Sequence, residues 1–134
     1  MSLLLLDTTF LIDAERGTAE LDALIADDDD VAIAAITLAE RTVGVRMANP
    51  RQRPGRQSYV DEVAASIPIL PYDEAVAVHH SSLLVAARAA GRPRGAHDLI
   101  IAATAAAAGR TVVSADRRAF DGLPGVHAVD HRPE

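Results

Sequence analysis

Asp98 and Asp116 bracket the stretch in which chemistry first suggests itself. Residues 95–120 read GAHDLIIAATAAAAGRTVVSADRRAF: an acidic residue near the start of an apolar helix, a Gly109 stop, and a β-branched strand ending at a second acidic residue. A helix that packs back along the strand it precedes brings its own start and the strand's end to one sheet edge. Two carboxylates meeting there are costly without counter-charge, so the stretch reads as half of a divalent-metal site. Asp7, which ends the apolar run at residues 3–6, and Glu40, one turn beyond the run at residues 31–35, supply the other half. In a parallel sheet all four project to the carboxyl edge, where open α/β sheets build their sites. Mg²⁺ suits such a set because it takes hard oxygen ligands and keeps several waters, and Mn²⁺ is the expected substitute.

Each carboxylate also has a plainer reading. Thr37-x-x-Glu40 has the spacing of a capping box, Asp98 complements a helix dipole, and Asp116 can cap the turn before Phe120. The metal reading therefore rests on joint placement.

The elements that must position these residues follow in order along the chain. Residues 3–6 suit a strand buried on both faces. Thr8 and Thr9 offer N-cap hydroxyls to a short helix through Phe10, Leu11 and Ile12, ended by Gly17. A second helix is expected over residues 19–26. The four aspartates at 27–30 lack the glycine and spaced glutamate of a calcium loop and read as a solvated turn. Residues 31–35 form a second strand, and Thr37 opens the helix that carries Glu40. A basic turn with Pro50, Pro54 and Gly55 precedes a helix at 58–66, and a short strand occupies 67–70. Asp73 caps a long helix to Ala90 that buries Val76, Leu83, Leu84 and Ala87. Its His79 and His80 have no partner histidine one turn away and read as surface or packing residues. A last strand falls at 126–129, before a frayed tail. Five short strands alternating with helices predict a three-layer α/β/α sandwich around a mostly parallel sheet, with residues 1–134 as one domain.

Composition narrows the chemistry. The 134-residue chain is 49% hydrophobic, enough for a real core, yet no run approaches the ~18 apolar residues of a membrane span. No signal peptide is expected, and no cysteine is present, which leaves no disulfide framework or thiolate zinc site and makes the cytoplasm the expected location. All thirteen basic residues are arginine. The absence of lysine removes a Walker lysine, a Schiff base and the lysine of receiver domains, and leaves planar forks suited to phosphate. Arg41, Arg46, Arg51, Arg53 and Arg56 form one cluster and Arg88, Arg92 and Arg94 another. With a net charge of −6, bound Mg²⁺ and local arginine patches must reverse the sign wherever nucleic acid approaches.

The order Asp7-Thr8-Thr9, Ile36-Thr37-Leu38-Ala39-Glu40, Ala96-His97-Asp98-Leu99-Ile100-Ile101-Ala102-Ala103-Thr104 and Ser114-Ala115-Asp116-Arg117-Arg118-Ala119-Phe120 resembles a PIN domain. More narrowly it is similar to the VapC ribonuclease toxins of bacterial toxin–antitoxin pairs, over essentially the whole chain. The resemblance implies a PIN-like fold, metal-binding carboxylates at Asp7, Glu40 and Asp98, a position more variable in type at Asp116, and a supporting hydroxyl at Thr8 or Ser114. It also implies a VapB-type antitoxin whose C-terminal segment lies over the active-site groove, and a homodimer. The expected reaction is Mg²⁺-dependent hydrolysis of RNA. Water rather than the ribose 2′-OH is the nucleophile, so a 5′-phosphate remains, and Arg117 and Arg118 hold flanking phosphates. Aromatics are 3% of the chain, so phosphate contact and shape should outweigh base stacking.

Three alternatives stand beside this reading. A haloacid-dehalogenase-like phosphatase would need a second aspartate where Thr9 stands, and a receiver-like regulator would need a lysine. A PIN-like scaffold without catalysis would be distinguished by the absence of metal-dependent turnover.

Overall fold

The computed structural model describes residues 1–17 and 26–131. Five strands, β1 (Leu3–Leu6), β2 (Asp30–Ala34), β3 (Ile69–Leu70), β4 (Thr111–Ser114) and β5 (Ala128–Asp130), form one sheet in the order β3-β2-β1-β4-β5. Every pairing is parallel. The order departs from the 2-1-3-4-5 of receiver-type sheets. Five helices are described: α1 (Thr8–Glu15), α2 (Ala35–Met47), α3 (Arg53–Ser66), α4 (Glu74–Ala89) and α5 (Ala96–Ala108). A 3-10 turn follows β4 at Arg117–Ala119.

The period-2 geometry of a strand explains why short, continuously apolar runs give two cores. Leu4 and Leu6 of β1, Ile33 of β2 and Val113 of β4 join Phe10 and Leu11 of α1 and Val63 of α3 on one face. Their alternates Leu5, Ala32, Ala34 and Val112 join Val76 and Leu83 of α4 and Leu99, Ile101 and Ala102 of α5 on the other. Leu5, Ile33, Val112 and Val113 are entirely out of water. Each such side chain contributes roughly 1.5–3 kcal/mol. The expected three-layer α/β/α arrangement is therefore present.

Several boundaries differ from the sequence reading for local reasons. The chain passes from β2 into α2 without a turn, so α2 starts at Ala35 with Ala34 as an N-cap that makes no side-chain bond. Thr37 then lies inside the helix, fully buried, with no partner for its hydroxyl among the described residues, and the capping box does not form. Helix α3 begins at Arg53 rather than residue 58, because Pro54 fits a helix's first turn, where its missing N–H is not needed. Pro68 heads β3 and accepts from the Ile33 amide at 3.0 Å, but only Ile69 and Leu70 pair. The last strand is displaced to Ala128–Asp130 because the Val126 amide turns back to Leu123. Of the helix expected over 19–26, residues 19–25 lie outside the described residues, as does the tail beyond His131. The Asp27–Asp30 stretch does turn, with Asp29 accepting from the amides of Ser2 at 2.7 Å and Ala26 at 2.8 Å. Asp73 caps α4 by accepting from Val76, as expected.

Candidate active site

Asp7 follows the last residue of β1, and its carboxylate is the N-cap of α1. Its Oδ1 accepts from the Phe10 amide at 3.0 Å and from the Thr9 hydroxyl at 2.7 Å. The expectation that Thr8 or Thr9 would cap this helix is thus corrected: Asp7 does so, and the two hydroxyls also serve more distant partners. Thr9 Oγ1 also accepts from the Ala115 amide at 2.8 Å and lies 3.4 Å from Ser114 Oγ, while Ser114 Oγ accepts from the Asp116 amide at 2.9 Å. These bonds stitch the carboxyl ends of β1 and β4 together. On the other side, Thr8 Oγ1 donates to Glu40 Oε1 at 2.7 Å, and Glu40 Oε2 lies 3.3 Å from His97 Nδ1. Asp98, the third residue of α5, completes the group.

Asp7 is buried and Asp98 half-buried. Burial pushes the Asp7 carboxyl above its ordinary range, against the lowering effect of the Ser114 and Thr9 hydroxyls, the Phe10 amide and His131. Burial likewise raises Asp98, and the carboxylates of Asp7, Glu40 and Asp116 add to the effect, opposed by His97. Three segments distant in sequence therefore act on one carboxyl. Gly95 makes room for it: a Cβ there would stand 2.8 Å from Asp98 Oδ2, although the glycine's backbone, with φ −58°, is one that any residue adopts. Among the described residues, no three acidic or imidazole side chains come close enough to ligate one point.

Asp116 is exposed and makes no side-chain capping bond, so the turn-capping reading of it is not met. Arg117 and Arg118 are exposed on the turn that follows, and Arg117 Nε lies 3.7 Å from Asp121 Oδ1. Arg94 braces that turn by donating to the carbonyls of Arg118, at 2.9 Å, and of Asp121. His80 faces Tyr72 Oη at 2.8 Å and His79 is exposed, consistent with surface roles.

Three residues of this neighbourhood escape a reading of the sequence. Thr9 reads there as a cap although it is the hub between two strands; the doubled threonine after Asp7 is the available signal. His97 and Gly95 sit beside Asp98 in sequence, yet nothing in their spacing distinguishes them from loop residues.

Residues 4–125 match the family model of the PIN domain. Ribonuclease VapC5 of Mycobacterium tuberculosis is 33% identical over 126 residues, covering 92% of each chain. Toxin FitB of Neisseria gonorrhoeae is 34% identical over 130 residues, 88% of this chain and 91% of that protein. The crystal structure of VapBC-5 from Mycobacterium tuberculosis, a member of the VapBC family of toxin–antitoxin systems, is similar with a TM-score of 0.81 at 32% identity. That match covers 97% of this chain and 99% of the other. No helix among the described residues is long and apolar enough to cross a membrane. With the carboxylates at the carboxyl edge of a parallel sheet and these matches along nearly its full length, the chain belongs to the PIN-domain family, in its branch of VapC-type ribonuclease toxins.

Proposed function

We propose that this chain is a cytoplasmic, Mg²⁺-dependent endoribonuclease toxin that hydrolyses RNA phosphodiesters at Asp7, Glu40, Asp98 and Asp116 and is neutralised by a VapB-type antitoxin. The observation that carries the reading is Asp98. Its carboxyl is raised both by burial and by three carboxylates from other parts of the chain. Like charges gathered at a sheet edge call for a cation.

PIN-domain nucleases use a divalent metal. The donor set fits one in kind, being all carboxylate oxygen, and Mg²⁺ retains enough of its own waters to tolerate side chains that do not converge on one point. When bound, the cation supplies positive charge at the scissile phosphate and lowers the pKa of water there. Asp7, Glu40 and Asp98 would hold it, with Asp116 sharing in that role. The protein's own work is positional. Thr9 and the Phe10 amide hold Asp7, Thr8 orients Glu40, and Ser114 supports the backbone of Asp116. Exposed Arg117 and Arg118 would take phosphates flanking the cut.

The antitoxin assignment draws support from the VapBC-5 relative, a toxin–antitoxin system. A homodimer belongs to the same proposal, since Val43 and Met47 of α2 and Val78 and Val85 of α4 are exposed apolar residues. A PIN-like scaffold is the second reading, favoured by the lack of a close three-ligand set among the described residues.

The deciding experiment incubates purified antitoxin-free protein with total bacterial RNA in Mg²⁺, Mn²⁺ or EDTA, beside Asp98→Asn. Discrete fragments with 5′-phosphates, lost in EDTA and in the variant, are expected. Folded, metal-loaded protein that leaves every RNA intact would favour the scaffold.

A further inference from the structure

A cleft of about 270 Å³ is lined, among the described residues, by Ile12, Glu15, Arg16, Arg41 and Arg56. These residues come from α1 and its C-cap, α2 and α3. Arg41 is only 9% exposed. Its Nη2 is paired with Glu15, while its Nε is buried without a hydrogen-bond partner among the described residues. A buried donor left in that state is unfavourable until a ligand or water satisfies it. Among the described residues Arg56's side chain makes only a long 3.4 Å bond to Gln52 through Nη2, and Arg16 is exposed at the C-cap of α1. Among the described lining residues three guanidiniums stand against one carboxylate, a local positive balance in a chain of net charge −6.

Its place relative to the candidate active site is set by α1 and α2. Thr8, which holds Glu40, is the first residue of α1, and Glu15 lies two turns further along the same face, ~10 Å away. Arg41 directly follows Glu40 on α2. Along α1 the cleft therefore lies about 10 Å from the residue that holds Glu40, a distance that neighbouring nucleotides of a bound strand can span. Planar forks suit phosphate oxygens, often two at a time, and among the described residues the lining is chiefly charged, with Ile12 its apolar member.

We infer that this cleft is a second phosphate subsite, in which Arg16, Arg41 and Arg56 hold an RNA backbone phosphate flanking the scissile one while Glu15 keeps the Arg41 fork in place. The inference rests on the RNA-cleaving reading above and adds where the strand is gripped.

The test titrates the full chain with a fluorescein-labelled, mixed-sequence single-stranded oligoribonucleotide in EDTA, read by anisotropy between about 50 and 200 mM salt. Wild type is compared with Arg16→Gln/Arg56→Gln, whose positions lie outside the Arg41–Glu15 pair, and with Arg41→Gln, each checked by circular dichroism. The double variant is expected to bind roughly tenfold more weakly at low salt, with a salt slope shallower by about 0.7 for each phosphate it no longer neutralises. In Mg²⁺, KM should rise while kcat at saturating RNA holds. Equal affinity and slope in wild type and double variant would overturn the subsite, as would a wild-type chain that binds no RNA. Unchanged RNA binding with loss of binding to an aspartate- and glutamate-rich peptide would give the cleft to a protein partner instead. Arginine-dependent RNA binding without any cleavage would sink the nuclease reading and leave the subsite standing.

Discussion

The Thr8 hydroxyl donates to the Glu40 carboxylate at 2.7 Å, joining the first residue of α1 to a side chain 32 positions later. This bond and the His97 contact are what aim Glu40 into the cluster. Thr8→Val keeps the shape and removes the donor. RNA cleavage should fall roughly tenfold, with a stability loss of about 1 kcal/mol in a urea melt. Thr8→Ser should restore most of the activity. A Thr8→Val protein with wild-type turnover would mean that Glu40 needs no such orientation.

Gly95→Ala is expected to damage activity without damaging the fold. The backbone at Gly95 accepts alanine, but the new Cβ would sit 2.8 Å from Asp98 Oδ2, so the carboxylate must swing away. Displacement of a reacting group by about an ångström can cost ~100-fold in rate. Cleavage assays should show a loss of that order, while the melting temperature stays near wild type.

Asp98→Asn should separate the site's function from its stability. Asp98 is held above the ordinary aspartate range, so the folded protein disfavours its charged form. The stability tied to its neutral form is fully present below the ordinary aspartate pKa and lost as pH rises through the raised one. At neutral pH in EDTA the variant should therefore melt a few degrees higher than wild type, with the gain vanishing toward acidic pH. Mg²⁺ should raise the wild-type melting temperature and leave the variant's nearly unmoved. A variant less stable than wild type at neutral pH would contradict the strain assigned to this carboxyl.

His131 Nε2 lies 2.9 Å from Asp13 Oδ2, and both side chains are almost fully buried. The imidazole also meets the Phe10 ring edge-on, with centroids 4.8 Å apart. Removing the imidazole takes away this hydrogen bond and the ring packing together, at a cost of about 2 kcal/mol. His131→Ala should lower the denaturation midpoint accordingly. A shift below about 1 kcal/mol would show that the pair contributes little beyond packing.

Much of this architecture is local and can be read along the chain. Strand alternation in Leu4, Leu5 and Leu6 needs only neighbouring residues, as do the stop at Gly109, the Asp73 cap and the order of the four carboxylates, and each appears in the structure. Which cap a threonine serves is not local. Thr37 has no capping role because β2 runs straight into α2, and Thr9 is a hub because β4 delivers the Ala115 amide to it from 106 residues away. The Asp13–His131 pair, 118 residues apart, and the steric need for Gly95 likewise exist only once the chain has closed. Sequence by itself determined the residue types, the element periods and the strand and helix ends at which the acids stand, because these follow from backbone geometry within a few residues. Tertiary structure alone decided which oxygen meets which donor, because a hydrogen bond forms over about 3 Å and depends on how distant segments pack.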